Sequence, residues 1–318
     1  MMRKIAFVFP GQGAQKVGMG REMAESYAEA REVFEKADRT LGFSLSKLCF
    51  EGPEEELRQT VNTQPAILTT SVACLRMLER EHITPMMVAG HSVGEYAALV
   101  AAGVLTFEEA LKLVRRRGEL MNEAGETAPG TMSAVIGMEY QAIREACAQA
   151  ALTGVVEVAN FNTPDQIVIS GEHSAVAKAT EILKGMGARK IAPLNVSAAF
   201  HSSLMKSAAA KLSNDFDLYT FRNPKVPLVA NISATGLRDG ASVCSALKKQ
   251  ILGNVLWADS IKHMISAGVD TFIEVGPGKA LSGMIRKIDK YVQVFNVEDR
   301  DSFHKTREAS ADELILEV

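Results

Sequence analysis

Residues 86–95 read Met86-Met87-Val88-Ala89-Gly90-His91-Ser92-Val93-Gly94-Glu95, and a helical stretch, Glu95–Ala102, follows directly. A short apolar run, a G-x-S-x-G turn and a helix in that order make a nucleophile elbow, in the setting that gives the motif its meaning. The glycines two positions either side of Ser92 let the chain turn sharply without Cβ clashes. Such a turn lifts the Ser92 hydroxyl above a sheet and sets it at a helix N-terminus. There the Val93 N–H and the helix dipole can face a developing oxyanion. The bland reading is an ordinary glycine-rich turn; the flanking strand and helix favour the elbow.

Outward from the elbow, apolar runs at Ile5–Phe9, Val226–Ile232 and Thr271–Val275 end in glycine, proline or polar turn residues. They fit strands buried on both faces of a mostly parallel sheet. Helical stretches at Met19–Leu41, Gln64–Glu81 and Phe107–Glu123 alternate with them, which implies an α/β architecture. The middle of the chain has another rhythm. A strand near Met132–Ile136 precedes a helix over Tyr140–Ala151, strands near Val155–Phe161 and Gln166–Ser170, a helix over Ser174–Met186 and a strand over Arg189–Leu194. This βαββαβ order is the ferredoxin-like split unit. Residues 128–198 are expected to form an inserted lobe, bounded by Ala128-Pro129-Gly130 and by Ser197. Residues 1–127 and 199–318 would form the larger lobe, and the polar tail after Asp299 would end as a surface helix.

A chain of 318 residues is long for one small core, which suits two lobes. Its net charge of −3, with no long like-charge run, gives no support to nucleic-acid binding. Cys49, Cys74, Cys147 and Cys244 are scattered, with no metal-type spacing, and read as buried thiols of a reducing cytosol. The leading Met1-Met2-Arg3-Lys4 resembles the start of a signal peptide, but the apolar run after it is short and Pro10-Gly11 stops it. No apolar stretch reaches the ~18 residues of a membrane span, so a cytoplasmic protein is expected.

Gly11-Gln12-Gly13-Ala14-Gln15 follows the first strand. It fails the dinucleotide fingerprint at Lys16 and the P-loop pattern at Met19. A loop lending a second oxyanion N–H, from Gln12, is the functional reading; a plain connecting turn is the bland one. Six histidines (His82, His91, His173, His201, His263, His304) are candidates for a general base. His201, in Ser197-Ala198-Ala199-Phe200-His201-Ser202, sits where the inserted lobe returns and a helix begins, and position alone favours it weakly. His91 is expected to pack under the turn. In Arg115-Arg116-Arg117, the first two read as solvated charges. Arg117 falls within about 60° of Ala110, Leu113, Val114, Leu120 and Met121 on a helical wheel. A guanidinium on that apolar face needs an anionic partner, either a protein carboxylate or a substrate.

Six segments in this order resemble the malonyl-CoA:acyl carrier protein transacylases and the related acyltransferase domains of fatty-acid and polyketide synthases. They are Phe9–Gln15, Gly90–Glu95, the arginine helix to Met121, Asn160-Phe161-Asn162 with Gln166–Gly171, Ala199–Ser202, and Glu274-Val275-Gly276-Pro277-Gly278. The free-standing length resembles the separate enzyme of type II fatty-acid synthesis. The resemblance implies an α/β-hydrolase-like large lobe with a ferredoxin-like small lobe, and no cofactor, malonyl-CoA being a substrate and an acyl carrier protein the acceptor. It implies Ser92 as the acylated nucleophile, His201 as its base, Gln12 and Val93 as oxyanion donors, and Arg117 as the partner of the malonyl carboxylate. Met121, Phe200 and Asn162 would contact substrate, with Phe200 favouring malonyl over methylmalonyl. The backbone carbonyl of Gln250 would orient His201, which makes its side chain dispensable and explains why no acidic triad member is conspicuous. A serine esterase or thioesterase shares the elbow but needs no inward arginine. A non-catalytic scaffold is disfavoured by intact Ser92, His201 and Arg117. Arg189, Lys190, Lys206, Arg286 and Lys287 are candidates for docking the acidic carrier, or simply solvated charges.

Overall fold

The computed structural model of the chain describes residues 3–311. Strands β1 (Ile5–Phe9) and β2 (Met87–Gly90) come first, and every residue of both except Ile5 is buried. Strands β3 (Thr131–Ile136), β4 (Val156–Thr163), β5 (Gln166–Gly171) and β6 (Lys190–Pro193) occupy the middle of the chain. Strands β7 (Leu228–Val229), β8 (Gly236–Leu237), β9 (Thr271–Val275) and β10 (Gln293–Val297) follow. They form two sheets, ordered β10-β9-β1-β2-β7-β8 and β4-β5-β3-β6. The first is parallel except for its last pair, and the second is antiparallel throughout. The fold is thus mixed α/β, with a large parallel sheet and a small antiparallel one.

The apolar runs are near-continuous because the large sheet is covered twice. Phe7, Phe9 and Val88 face one core, shared with the helices Thr60–Arg80, Gly94–Ala101 and Phe107–Thr127. Ala6, Val8, Met87 and Ala89 face a second, filled by Trp257 and Ile261 of helix Trp257–Ser266 and by Leu281 and Ile285 of helix Ala280–Ile288. Successive residues of one strand therefore serve opposite cores. The small sheet packs on helices Tyr140–Ala150 and His173–Gly185. Its β4 is stitched to the large-sheet part of the chain by Phe161 N–H to Val255 O and Val255 N–H to Ala159 O, both 2.9 Å.

Local expectations are revised at five places. The stretch Met19–Leu41 breaks at extended Tyr27 into helices Arg21–Ser26 and Ala28–Leu41. The helix expected from Gln64 begins at Thr60, with Pro65 inside it. Proline lacks the N–H that would bond residue 61, and the Val61 carbonyl takes Arg115 Nη1 instead, at 3.1 Å. Arg115 is accordingly not a plain solvated charge: it also bonds Asn62 and Glu119, both at 2.9 Å, and lies over the Phe43 ring. Strand β10 escaped notice because it is an edge strand of mixed burial. The last helix, Arg300–Ala311, is not wholly superficial, since Phe303 is buried edge-on to Tyr27 with ring centroids 5.7 Å apart.

Trp257 is fully buried in the second core and packs edge-on to His91 at 5.5 Å between centroids. Its indole N–H has no hydrogen-bond partner among the described residues, so its contribution is packing. Trp257→Ala should cost about 3–5 kcal/mol in urea unfolding. A loss below about 1 kcal/mol would contradict this placement of the core.

Candidate active site

Strand β2 ends at Gly90, the helix begins at Gly94, and Ser92 between them has φ of +52°. That left-handed backbone costs a non-glycine residue about 1–3 kcal/mol and persists where its surroundings hold it. The glycines are required by contact. A Cβ on Gly90 would lie 2.0 Å from the Gly94 carbonyl carbon, and one on Gly94 would lie 2.2 Å from the Phe9 oxygen. Asn231 pins the turn, donating to Gly90 O at 2.6 Å and accepting from Ser92 N–H at 2.8 Å. The N–H groups of Val93 and Gln12, which line one cavity with Ser92, have no acceptor among the described residues.

His201 also has positive φ, +57°, at the return from the small sheet. Its Nε2 stands 2.8 Å from Ser92 Oγ. Its Nδ1 faces the carbonyl oxygens of Gln250 at 3.0 Å and Gly253 at 3.1 Å. Two acceptors on that side assign the proton to Nδ1 and leave Nε2 a lone pair towards Ser92. The carbonyls come from the end of helix Gly240–Gln250, where backbone oxygens lack intrahelical partners. They meet the imidazole as neutral dipoles, without the charge of a carboxylate. Burial, and next the Arg117 charge, hold the imidazole down to about 3, so it is neutral at physiological pH.

Arg117 lies on the buried face of its helix, 1% exposed. Its Nη1 donates to Gln64 Oε1 at 2.7 Å, and Nη2 to Ser92 Oγ and Gln250 Oε1, both at 3.2 Å. Nε is buried beside the Tyr96 side chain, with the guanidinium carbon 5.8 Å from the centroid of the Tyr96 ring. Among the described residues no carboxylate touches the guanidinium: neutral amides hold it. Of the two anionic partners the sequence left open, the direct protein carboxylate is therefore absent.

Met121, Phe200, Arg117 and His201 line the same narrow cavity of about 70 Å³ as Ser92. Asn162 lies outside it, in an adjoining cavity of about 290 Å³, where its Oδ1 meets His91 Nε2 at 2.9 Å. Asn160, two residues earlier on the strand, lines both cavities, and its Oδ1 is buried without a partner among the described residues. Asn160 is the better placed of the pair, and the two-residue strand repeat in Asn160-Phe161-Asn162 is the signal that points to it. The Gln250 side chain is not idle: beyond its bond from Arg117, its Nε2 donates to Ser92 O at 3.0 Å and Glu95 Oε2 at 2.8 Å. Gln64, Asn231 and Glu95 were also missed. Of the basic candidates, Lys206 lines the outer cleft with His201, Arg189 pairs with Asp165, and Arg286 bonds Val294 O.

Two outcomes follow. Gly94→Ala should displace the elbow, costing about 1–3 kcal/mol by overpacking, measured by urea unfolding. Because kcat/KM reports the free enzyme, its acid limb should lie well below pH 6.5, the ordinary histidine value. A limb at 6.5 that disappears in His201→Ala would contradict the depressed imidazole.

Residues 6–299 match a family model described as acyl transferase domain. A malonyl CoA-acyl carrier protein transacylase of Bacillus subtilis (strain 168) is 45% identical over 302 residues, which is 95% of each chain. The Escherichia coli (strain K12) protein of that name is 44% identical over 288 residues, covering 90% of this chain and 93% of the relative. The solved malonyl CoA-acyl carrier protein transacylase of Clostridium perfringens superposes with a TM-score of 0.94 at 41% identity, covering 98% of this chain and 99% of that one. A malonyl-transacylase solved in complex with its type II PKS acyl-carrier protein matches with a TM-score of 0.94 at 38% identity, covering 96% of this chain and 99% of that one. With a family match along most of its length and such relatives along nearly all of it, this chain belongs to the acyl transferase family, among the malonyl CoA-acyl carrier protein transacylases.

Proposed function

We propose that the protein moves a malonyl group from malonyl-CoA to the phosphopantetheine thiol of an acyl carrier protein, through an ester on Ser92. The observation that carries this reading is Arg117, a buried guanidinium held by neutral amides within 3.2 Å of Ser92 Oγ. A buried cation without a touching anion is costly, and a substrate carboxylate supplies one through two parallel hydrogen bonds. In the first half-reaction Ser92 Oγ attacks the thioester carbon while His201 Nε2 takes its proton. The tetrahedral oxyanion lies against the free N–H groups of Gln12 and Val93. Its collapse expels the coenzyme A thiolate, which takes the proton back from His201. In the second half-reaction His201 takes the carrier thiol's proton, the thiolate attacks the ester carbon, and collapse of the tetrahedral intermediate returns that proton to the departing Ser92 Oγ.

No cofactor enters these steps. Met121 forms apolar wall, and Phe200 crowds the α-carbon, disfavouring a methyl branch by about 1–3 kcal/mol. The same reading takes residues 128–198 as an inserted lobe closing over residues 1–127 and 199–318, and the cytoplasm as the working compartment. The free thiols Cys49, Cys74, Cys147 and Cys244 suit that compartment. A simple esterase has no use for the inward arginine.

The test is the malonyl-to-acetyl ratio of transfer efficiencies. Arg117→Ala should lower malonyl transfer about a hundredfold or more, while acetyl transfer holds or rises. Arg117→Lys should recover only part, since a point charge lacks the planar fork. An unchanged ratio in folded Arg117→Ala would refute the role. Gln250→Ala should also lower the ratio, because the amide that steadies Arg117 is lost with it.

A further inference from the structure

Beside the guanidinium lies a second buried charge for which the transfer steps have no use. Glu95, on helix Gly94–Ala101, is 1% exposed. Its Oε2 accepts from Gln250 Nε2 at 2.8 Å and from Asn231 N–H at 3.3 Å. Gln250 Oε1 accepts in turn from Arg117 at 3.2 Å. One amide therefore separates a buried anion from a buried cation. That amide is oriented by its partners: its nitrogen faces two oxygen acceptors and its oxygen faces the guanidinium.

We propose that Glu95 is a specificity-determining residue of the diacid site, an internal counter-anion that takes a proton from solvent when a substrate carboxylate pairs with Arg117. The proposal rests on the reading of Arg117 given above. Its basis is charge count. Without substrate the cluster holds one cation and, one amide away, one anion. A malonyl carboxylate would add a second anion to a site with little water, and two anions against one cation are unfavourable there. The substrate carboxylate touches the guanidinium directly; Glu95 does not, so Glu95 is the group neutralised. The step is carboxylate plus one proton to carboxylic acid, and no substrate bond changes. By linkage, a ligand whose binding takes up a proton binds less well as pH rises past the pKa of the group that receives it.

Burial pushes the Glu95 carboxyl up to about 7, against the hydrogen bonds from Gln250 and Asn231 and the charge of Arg117. The other titratable groups around it are shifted away from neutrality, the imidazoles downward and the phenol and thiol upward. Arg117, from helix Phe107–Thr127, stays charged. Burial pushes up the Tyr96 hydroxyl next to Glu95 and the Cys244 thiol on helix Gly240–Gln250. His201 is held down to about 3, and burial lowers His91 as well. A pH effect near neutrality that is confined to diacid donors therefore belongs to Glu95.

The experiment measures kcat/KM for malonyl-CoA and acetyl-CoA from about pH 5.5 to 8.5 in the unaltered protein, Glu95→Gln and Arg117→Ala. The ratio of the two donors cancels every titration they share, including those of the base and the thiol. In the unaltered protein the ratio should fall about fivefold or more as pH rises through 7, and in Glu95→Gln it should stay level. A level ratio in the unaltered protein, or an equal fall in Glu95→Gln, overturns the proposal. Arg117→Ala separates the two claims. A ratio collapsed at every pH upholds the arginine reading whatever Glu95 does; an uncollapsed one removes that reading and the proposal with it. Should Glu95→Gln fail to fold, the unaltered protein decides alone. In weak buffer at pH 7, malonylation should take up part of a proton per chain beyond any change seen with acetyl-CoA, and no uptake overturns the proposal.

Discussion

Around Ser92 the backbone approaches itself more closely than any side chain would allow. Gly94 lies against the carbonyl of Phe9, Gly90 against Gly94, and Gly11 against the carbonyl of His91, where an added Cβ would fall 2.0–2.5 Å from its neighbour. This contact locks the elbow onto the first strand, whose partner register already aligns Phe9 with Gly90. The consequence reaches the chemistry. Because β1 and β2 are adjacent and parallel, the loop after one brings Gln12 beside the turn after the other. Ligands of such sheets bind at the carboxyl ends of strands for this reason. The positive φ of Ser92 is held by the same crowding, together with both ends of the Asn231 amide.

Once the elbow is fixed, the site is built largely from neutral dipoles. His201 is oriented by two carbonyl oxygens, and Arg117 by two amide oxygens. Neither arrangement places a carboxylate in contact with the reacting groups. A carboxylate against His201 would stabilise its protonated form, and one against Arg117 would occupy the place of a substrate acid. Gln250 joins the two halves: its main-chain carbonyl faces His201 and its side chain faces Arg117. Arg117 also contributes to the low proton affinity of His201, so neutralising its charge would raise the basicity of the imidazole.

The local part of this design was legible in the sequence. Ser92 announces itself through strand, glycine spacing and helix, all within ten residues, and Arg117 through a helical period that places one arginine of three on the apolar side. The βαββαβ rhythm of the middle segment likewise survives in the small sheet. What escaped was set by distance along the chain. Asn231 meets Ser92 across 139 positions, and the Gln250 amide meets the Ser92 carbonyl across 158. No periodicity reports such pairs. That Asn160 lines the cavity of Ser92 and Asn162 the adjoining one depends on how the two sheets meet, which no local pattern reports. Arg115 looked solvated until the carbonyl freed by Pro65 gave it a partner.

The central claim is that Ser92 carries the acyl group between donor and acceptor. Mass spectrometry of the protein incubated with malonyl-CoA, digested and mapped, tests it most directly. One malonyl ester is expected on the peptide containing Ser92, absent from Ser92→Ala and removed on addition of a carrier protein bearing its thiol. An adduct that persists in Ser92→Ala, or free malonate accumulating with no adduct and no transfer to the carrier, would contradict it.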